Sequence, residues 1–243
     1  MKLKFYFLIS FFSSLVTFSL SAQTTINLKA YYFPYQNFFE PIVYKYVNLD
    51  NPNDIFYCLM ETKIVDGDTL VITNTFDQAF YEVDAGEEKI TAQGTELSRY
   101  TIYITGILTP TRPIHKDIFR WQQTNKEKIK WSARYSSPFG EESIRKMREY
   151  VGTGADYIFQ KKTYPSILFK DSYRHSIKAN KSVRTSDFHQ LSLYCKGIGL
   201  VDYQREMDNG LQLHYQLEKI ISKEAWDALK KQPYVTEKPI KKI

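Results

Sequence analysis

The segment Leu211-Gln212-Leu213-His214-Tyr215-Gln216-Leu217-Glu218 alternates apolar and polar residues without a break. Side chains on an extended strand point to opposite faces in turn, so a run like this buries one clean face only as a β-strand. A helix would scatter the same apolar residues around its circumference. Before it runs Ile198–Met207, and Asp208-Asn209-Gly210 lies between the two. Asn-Gly readily takes the positive φ angles of a tight turn, so Ile198–Met207 and Leu211–Ile221 are expected to form a hairpin.

The pattern recurs along the chain. Ile55–Ile64 and Thr69–Phe76 flank the turn residues Val65-Asp66-Gly67-Asp68. Gln78–Val83 is expected to pair with Lys89–Gln93 across Asp84-Ala85-Gly86. Ile42–Val47, Ser98–Leu108, Ile129–Tyr135, Tyr157–Thr163, Ser166–Ile177 and Gln190–Tyr194 read as further strands. In Ile129–Tyr135, Trp131, Ala133 and Tyr135 share one face, and Lys130 and Arg134 share the wet one. An aromatic content of 16% suits pleated, half-buried surfaces. Two helices are predicted. In Glu141–Val151, Ile144, Met147 and Val151 recur at helical spacing, with Glu141 and Glu142 early and Arg145, Lys146 and Arg148 later, the order a helix dipole favours. Lys223–Lys231 has Ser222 as N-cap, Glu224 in its first turn and Pro233 beyond its end. Thr109-Pro110-Thr111-Arg112-Pro113 punctuates the middle of the chain and is placed between two halves of one sheet. The fold class is therefore mainly β: a long antiparallel sheet curled into a half-barrel, with two short helices. A β-sandwich is the alternative.

The ends set the compartment. Lys2 and Lys4 precede an apolar run, Phe5–Leu20, which closes on Leu20-Ser21-Ala22 before Gln23. This is the pattern of a cleaved secretory signal over 1–22. No Cys follows the apolar run, which does not support a lipid-anchored start. The remaining 221 of 243 residues divide into one β-rich domain, 23–232, and a mobile basic tail, 233–243, with Lys238, Lys241 and Lys242. Export is expected, to the periplasm, with the extracellular space as the alternative. No second apolar stretch reaches the roughly 20 residues that a membrane-spanning helix needs. The formal net charge of +6 includes the two leader lysines. It is read as a solubilising surface, not as nucleic-acid binding, because no basic motif accompanies it. Cys58 and Cys195 are either a disulfide, which an exported protein can keep, or two buried thiols.

Motifs for chemistry are sparse. Gly152-Thr153-Gly154-Ala155-Asp156 lacks the third Gly and the Lys of a phosphate loop. No Gly-x-Ser-x-Gly elbow occurs, and His115, His175, His189 and His214 show no metal-ligand spacing. Glu141 and Glu142 are adjacent, and Glu61, Glu82 and Asp202 lie on predicted strands, so paired carboxylates for glycoside cleavage are not singled out. No catalytic residue, metal site or cofactor is predicted. The aromatic and apolar faces of the strands carry the binding expectation: Tyr100 and Ile102, Trp131 and Tyr135, and Leu213 and Tyr215. Converging in a curled sheet, they line either a packed core or an apolar cavity, and alternation does not separate the two.

Two segments carry a resemblance. Tyr32-Phe33-Pro34 followed by Val43-Tyr44-Lys45-Tyr46, and Gly197-Ile198-Gly199-Leu200-Val201-Asp202-Tyr203 with Gly210 and Leu217, are similar to secreted Bacteroidetes proteins of the outer-membrane lipoprotein carrier-like group. The Leu-Ser-Ala-Gln junction at 20–23 resembles their leader ends. The match covers about 40 of the 221 residues. It implies an incomplete antiparallel barrel whose concave face holds acyl chains, but no functional residue transfers, because the matched positions belong to strands and turns. The expected function is an exported, non-catalytic protein binding a lipid or other apolar ligand, in a cavity covered by one of the two helices. The alternatives are an envelope assembly or protein-interaction module with no small ligand, using the Lys128, Lys130 and Arg134 face, and an exported hydrolase.

Overall fold

The computed structural model describes residues 26–124, 127–179 and 182–231. The leader expected over 1–22 and the tail expected over 233–243 lie outside them. The strands are β1 (Ile26–Asn27), β2 (Ile42–Asn48), β3 (Ile55–Val65), β4 (Asp68–Asp77), β5 (Glu82–Ile90), β6 (Gly94–Ile104), β7 (Ile107–Pro110), β8 (Arg112–Arg120) and β9 (Gln122–Gln123). They continue with β10 (Lys128–Ser137), β11 (Gly140–Thr153), β12 (Tyr157–Phe159), β13 (Lys162–Tyr164), β14 (Ser166–Ala179), β15 (Ser182–Cys195), β16 (Gly199–Met207) and β17 (Gln212–Ser222), before helix α1 (Lys223–Lys230).

The long strands pair in chain order. β2 to β6 run as a meander, and the far edge of β6 takes β7 at one end and β8 at the other. The path continues through β10, β11, β14, β15, β16 and β17, and β17 returns to β2. All of these pairings are antiparallel, and together they make a ring of twelve strands with β7 as an addition. The expected curled antiparallel sheet is present, and its curl runs on to closure: the half-barrel is a whole ring. β2 shows why. Tyr44 and Tyr46 are buried inside the barrel and Val43 is buried outside it, under α1. A strand covered on both faces needs partners along both edges, because its backbone N–H and C=O groups cannot turn to water.

Four local expectations are corrected. Glu141–Val151 is not a helix but most of β11. Glu142, Ile144, Lys146, Arg148 and Tyr150 alternate on its inner face, paired to β10 and β14. That inner face is charged, so apolar spacing pointed to the wrong period. Asp84-Ala85-Gly86 is not a turn but lies within β5; a Cβ at Gly86 would sit 4.0 Å from the Tyr100 ring, which packs over the position. The 109–113 punctuation divides nothing: Thr111 separates β7 from β8, and its N–H donates to Tyr100 O at 3.0 Å. Tyr157–Thr163 is a tight hairpin, β12 with β13, turning at Gln160 (φ 49°) and Lys161 (φ 66°).

Two hydrophobic clusters result. The larger fills the barrel, and the smaller lies outside it, where Trp226 of α1 packs on Val43, Tyr57, Phe76 and Phe80. Ser222 caps α1 as expected, accepting from Ala225 N–H at 3.3 Å. Cys58 and Cys195 are free thiols, not a disulfide. They sit on β3 and β15 with β2, β17 and β16 between them. Strands about 4.8 Å apart set such residues well beyond the roughly 7 Å that a bridge allows between Cα atoms. Burial pushes each thiol up to about 12.

Candidate functional site

An up-and-down ring gathers alternate turns at alternate ends, and the two ends of this barrel differ. One is plugged. The segment before β2 folds across it in two 3₁₀ turns, Lys29–Tyr31 and Tyr35–Asn37, and inserts Leu28, Tyr32 and Phe33, all buried. Its backbone is tied on several sides: Leu28 N–H donates to Trp121 O at 2.7 Å, Gly197 N–H to Ala30 O at 2.8 Å, and Thr62 N–H to Phe38 O at 2.8 Å. Gly199 has a φ of +100°, and a Cβ there would come within 3.3 Å of the Phe33 backbone, so the close approach requires glycine. The two segments quoted for the family resemblance therefore meet here, plug against wall.

The middle of the barrel holds a buried ionic network. Arg148 Nε and Nη2 donate to the two Asp171 oxygens at 2.8 and 2.9 Å, and Lys146 Nζ lies 2.9 Å from Asp171 Oδ2. Arg148 also donates to Tyr194 OH at 2.8 Å and stacks on Phe169 and Tyr194, each 5.0 Å away. Burial alone would raise the Asp171 carboxyl; Arg148 and Lys146 override it and hold the group at about 2. Higher in the plugged half, Glu88 accepts from Tyr32 OH at 2.8 Å and Thr95 Oγ1 at 2.7 Å. Desolvation still holds its carboxyl above the ordinary value.

The opposite end is the mouth, ringed by the turns at 49–54, 78–81, 105–106, 138–139 and 208–211. Tyr100, Ile102, Trp131, Tyr135, Tyr173, Phe188, Arg205 and Leu213 face inward there and are only half-buried. An inward side chain can meet water only through an end of the ring, so the mouth is accessible. Of the six residues predicted from sequence, five are among these, and the Tyr100 and Trp131 rings meet edge-on at 5.5 Å across the barrel wall. Tyr215 also points inward but is buried among Phe56 and Tyr203, where it serves the core. Lys130 and Arg134 lie on the outer face, as expected.

Arg205 was not singled out by sequence reasoning. Its Nε and Nη2 both donate to Gln190 Oε1, at 3.0 and 2.8 Å, and its guanidinium lies 5.0 to 5.7 Å from the rings of Phe188, Tyr203 and Tyr173. It makes no ion pair among the described residues. The signal was present: in Val201-Asp202-Tyr203-Gln204-Arg205-Glu206-Met207, Arg205 occupies the apolar register of the strand. Asp171, in register with Phe169 and Tyr173, is legible in the same way.

The histidines do not converge. His175 Nε2 lies 2.6 Å from Glu142 Oε2 and 3.1 Å from Tyr135 OH, so one nitrogen and one carboxylate oxygen share all three contacts and no relay runs through the ring. Burial would raise Glu142, but hydrogen bonds from Ser137, Tyr135 and His175 hold it below the ordinary value. His214 pairs with Asp202 at 3.0 Å on the outer face, and His115 and His189 contact Ser132 and Ser172. Among the described residues no group of three or more His, Cys, Asp or Glu could hold a metal ion. A groove of about 500 Å³ runs along β14–β17, lined by the outward-facing Lys170, His189, Leu191, Glu206 and His214 and bordered also by Gln190, Arg205 and Leu213. Neither predicted helix covers the barrel interior among the described residues: α1 packs on the outer wall, and Glu141–Val151 is itself wall.

Among the described residues no helix is long and apolar enough to cross a membrane. The outer faces of β11 and β14 read Ser143, Arg145, Met147, Glu149 and Lys170, Ser172, Arg174, Ser176, Lys178. A membrane-spanning barrel presents an apolar band there, so the pattern of this wall is the reverse.

No family model matches the chain, and no curated protein matches it. Two solved chains are similar, each at 13% identity with a TM-score of 0.46: a candidate lipoprotein from Parabacteroides distasonis, over 76% of this chain and 98% of its own, and a candidate exported protein with a YmcC-like fold from Bacteroides fragilis, over 76% and 99%. Likeness at that level carries no argument about fold or activity, and the resemblance to the lipoprotein carriers rests on the two sequence segments alone.

Proposed function

We propose that this chain is an exported, non-catalytic binding protein that takes an apolar or amphipathic ligand, of the lipid class, in the mouth of its barrel. One observation carries the reading: five large inward side chains, Tyr100, Trp131, Tyr135, Tyr173 and Phe188, stay half-buried at one end of a ring whose other end is plugged by Leu28, Tyr32 and Phe33. Apolar walls with a few placed polar groups are what a ligand site needs. The test is to purify the protein from an exporting host, extract it with organic solvent, and analyse the extract by mass spectrometry beside native mass spectrometry of the intact protein. A stoichiometric apolar molecule, lost in Trp131→Ala, supports the reading. An empty protein that also fails to bind a hydrophobic fluorescent probe sinks it.

A specific feature favours the interaction module as the second reading. The turns of the mouth display Leu49, Tyr81, Ile107, Phe139 and Leu211, each about half exposed or more. Exposed apolar residues that gather into a patch mark contact surfaces; the plugged end displays Phe39, Ile64 and Ile158 as well, so this reading rests on the mouth residues alone. Capture of an envelope protein that persists in an empty barrel and fails in Phe139→Ser would favour this reading.

A further inference from the structure

The barrel contains two arginines built into aromatic cages, and only one has its counter-ion. Arg148 shows what a completed site looks like here: a bidentate carboxylate, a tyrosine hydroxyl and stacked rings, at 4% exposure. Arg205 has the rings, from Tyr173, Phe188 and Tyr203, but its hydrogen bonds go to a single neutral amide oxygen. Gln190 is itself oriented, its amide nitrogen donating to Ser192 Oγ at 2.8 Å, so the guanidinium is aimed from behind. Lys146, over the Tyr173 ring at 4.9 Å, adds a second cation nearby. The carboxylates in the neighbourhood are committed elsewhere. Asp171 is held by Arg148 and Lys146. Asp84, whose side chain bonds to Thr75, makes no ion pair with Arg205; burial raises its carboxyl, and the Arg205 charge acts on it only through space, as a smaller opposing influence.

A guanidinium fixed on aromatic faces in a half-buried mouth is a ready receptor for a carboxylate or phosphate, which it binds through paired, charge-assisted hydrogen bonds. We infer that Arg205 anchors the acidic group of the ligand, so that the mouth selects anionic amphiphiles, with the apolar part of the molecule lying against Trp131, Tyr100, Ile102 and Leu213. This inference rests on the mouth being the binding site proposed above.

Calorimetric titration of the delipidated protein with laurate, below its micelle concentration, and with dodecanol, its uncharged counterpart, separates the two claims. Inorganic phosphate serves as an anion without a chain. Laurate is expected to bind about 10-fold or more tighter than dodecanol, the worth of charge-assisted hydrogen bonds, and tighter than phosphate. Arg205→Gln should bring laurate down to the level of dodecanol, and Arg205→Lys should fall between. Thermal melts of both variants establish that they fold, and Gln190→Glu, which gives Arg205 a carboxylate partner of its own at the position it already bonds, provides a second route to the same loss if they do not. Equal binding of laurate and dodecanol, unchanged by Arg205→Gln, overturns the anion anchor and leaves the apolar site standing. Phosphate binding as tight as laurate overturns the amphiphile and leaves a bare anion site. Failure of all three probes overturns the mouth as a binding site, and the anchor with it.

Discussion

Arg148 and Arg205 belong to the same barrel, face the same interior and stack on the same kinds of ring, yet they stand in opposite situations. Arg148 is closed in by Asp171, Lys146 and Tyr194 toward the plugged end. Arg205 opens on the mouth without an ionic partner among the described residues. The difference teaches how to tell a structural buried charge from a receptive one. A charge that serves the fold is surrounded by its complement, since leaving it unpaired in a dry site costs several kcal/mol. A charge kept half-wet and oriented without a counter-ion tolerates its position only because water reaches it, and it stays available.

The comparison can be broken at several points. Arg148→Met should destabilise most, by about 3–5 kcal/mol, because it leaves Asp171 buried without its main partner; equilibrium denaturation measures it, and a loss below about 1 kcal/mol would erase the contrast. Acid should act on the same pair. The Asp171 carboxyl is depressed in the folded state, so its stabilisation is complete above the ordinary carboxylate value and is lost as pH falls from about 4 through about 2. The loss is roughly 2 kcal/mol, seen as a falling denaturation midpoint across that window and absent in Asp171→Asn. Glu88 should show the opposite sign. Its carboxyl is raised in the folded state, so stability declines as pH climbs from the ordinary glutamate value through the raised one. Glu88→Gln should flatten that decline by removing the titrating group, and an unchanged slope would show that Tyr32 and Thr95 already stabilise the anion fully. Arg205→Gln should change stability least, by about 1–2 kcal/mol, since the hydrogen bonds to Gln190 and the contacts with three rings are lost but no ion pair is broken. A larger loss would move Arg205 into the structural class with Arg148.

Much of the wall was legible in sequence, and the gaps share a cause. Leu213–Leu217 and Ile129–Tyr135 alternate apolar with polar, Ile55–Met60 is a continuous apolar run ahead of a turn signal, and each lies in a strand. β11 alternates as strictly, but its inner register carries Glu142, Lys146 and Arg148, whose complements come from β10 and β14. A charge satisfied by a distant strand looks like surface until the partner is known. Asp84-Ala85-Gly86 misled in a related way: the Asp84 carboxyl is buried and bonded to Thr75, and Gly86 continues the strand beside the Tyr100 ring. Five of the six predicted mouth residues were readable because they are aromatic or aliphatic. Arg205 was readable only as an exception to its own strand's register, a signal that deserves weight wherever alternation is otherwise clean.

Closure of the ring has a consequence in time. Every long pairing but one joins strands close along the chain; the last sets β2 against β17, Asn48 opposite Tyr215 and Ile42 opposite Ser222. Until β17 exists, β2 has one bare edge and the cylinder is a sheet with an open seam, able to pair with a strand of another molecule. The final residues of the wall thus hold the latch, and a chain emerging from its amino end waits for almost its whole length before the seam can be shut.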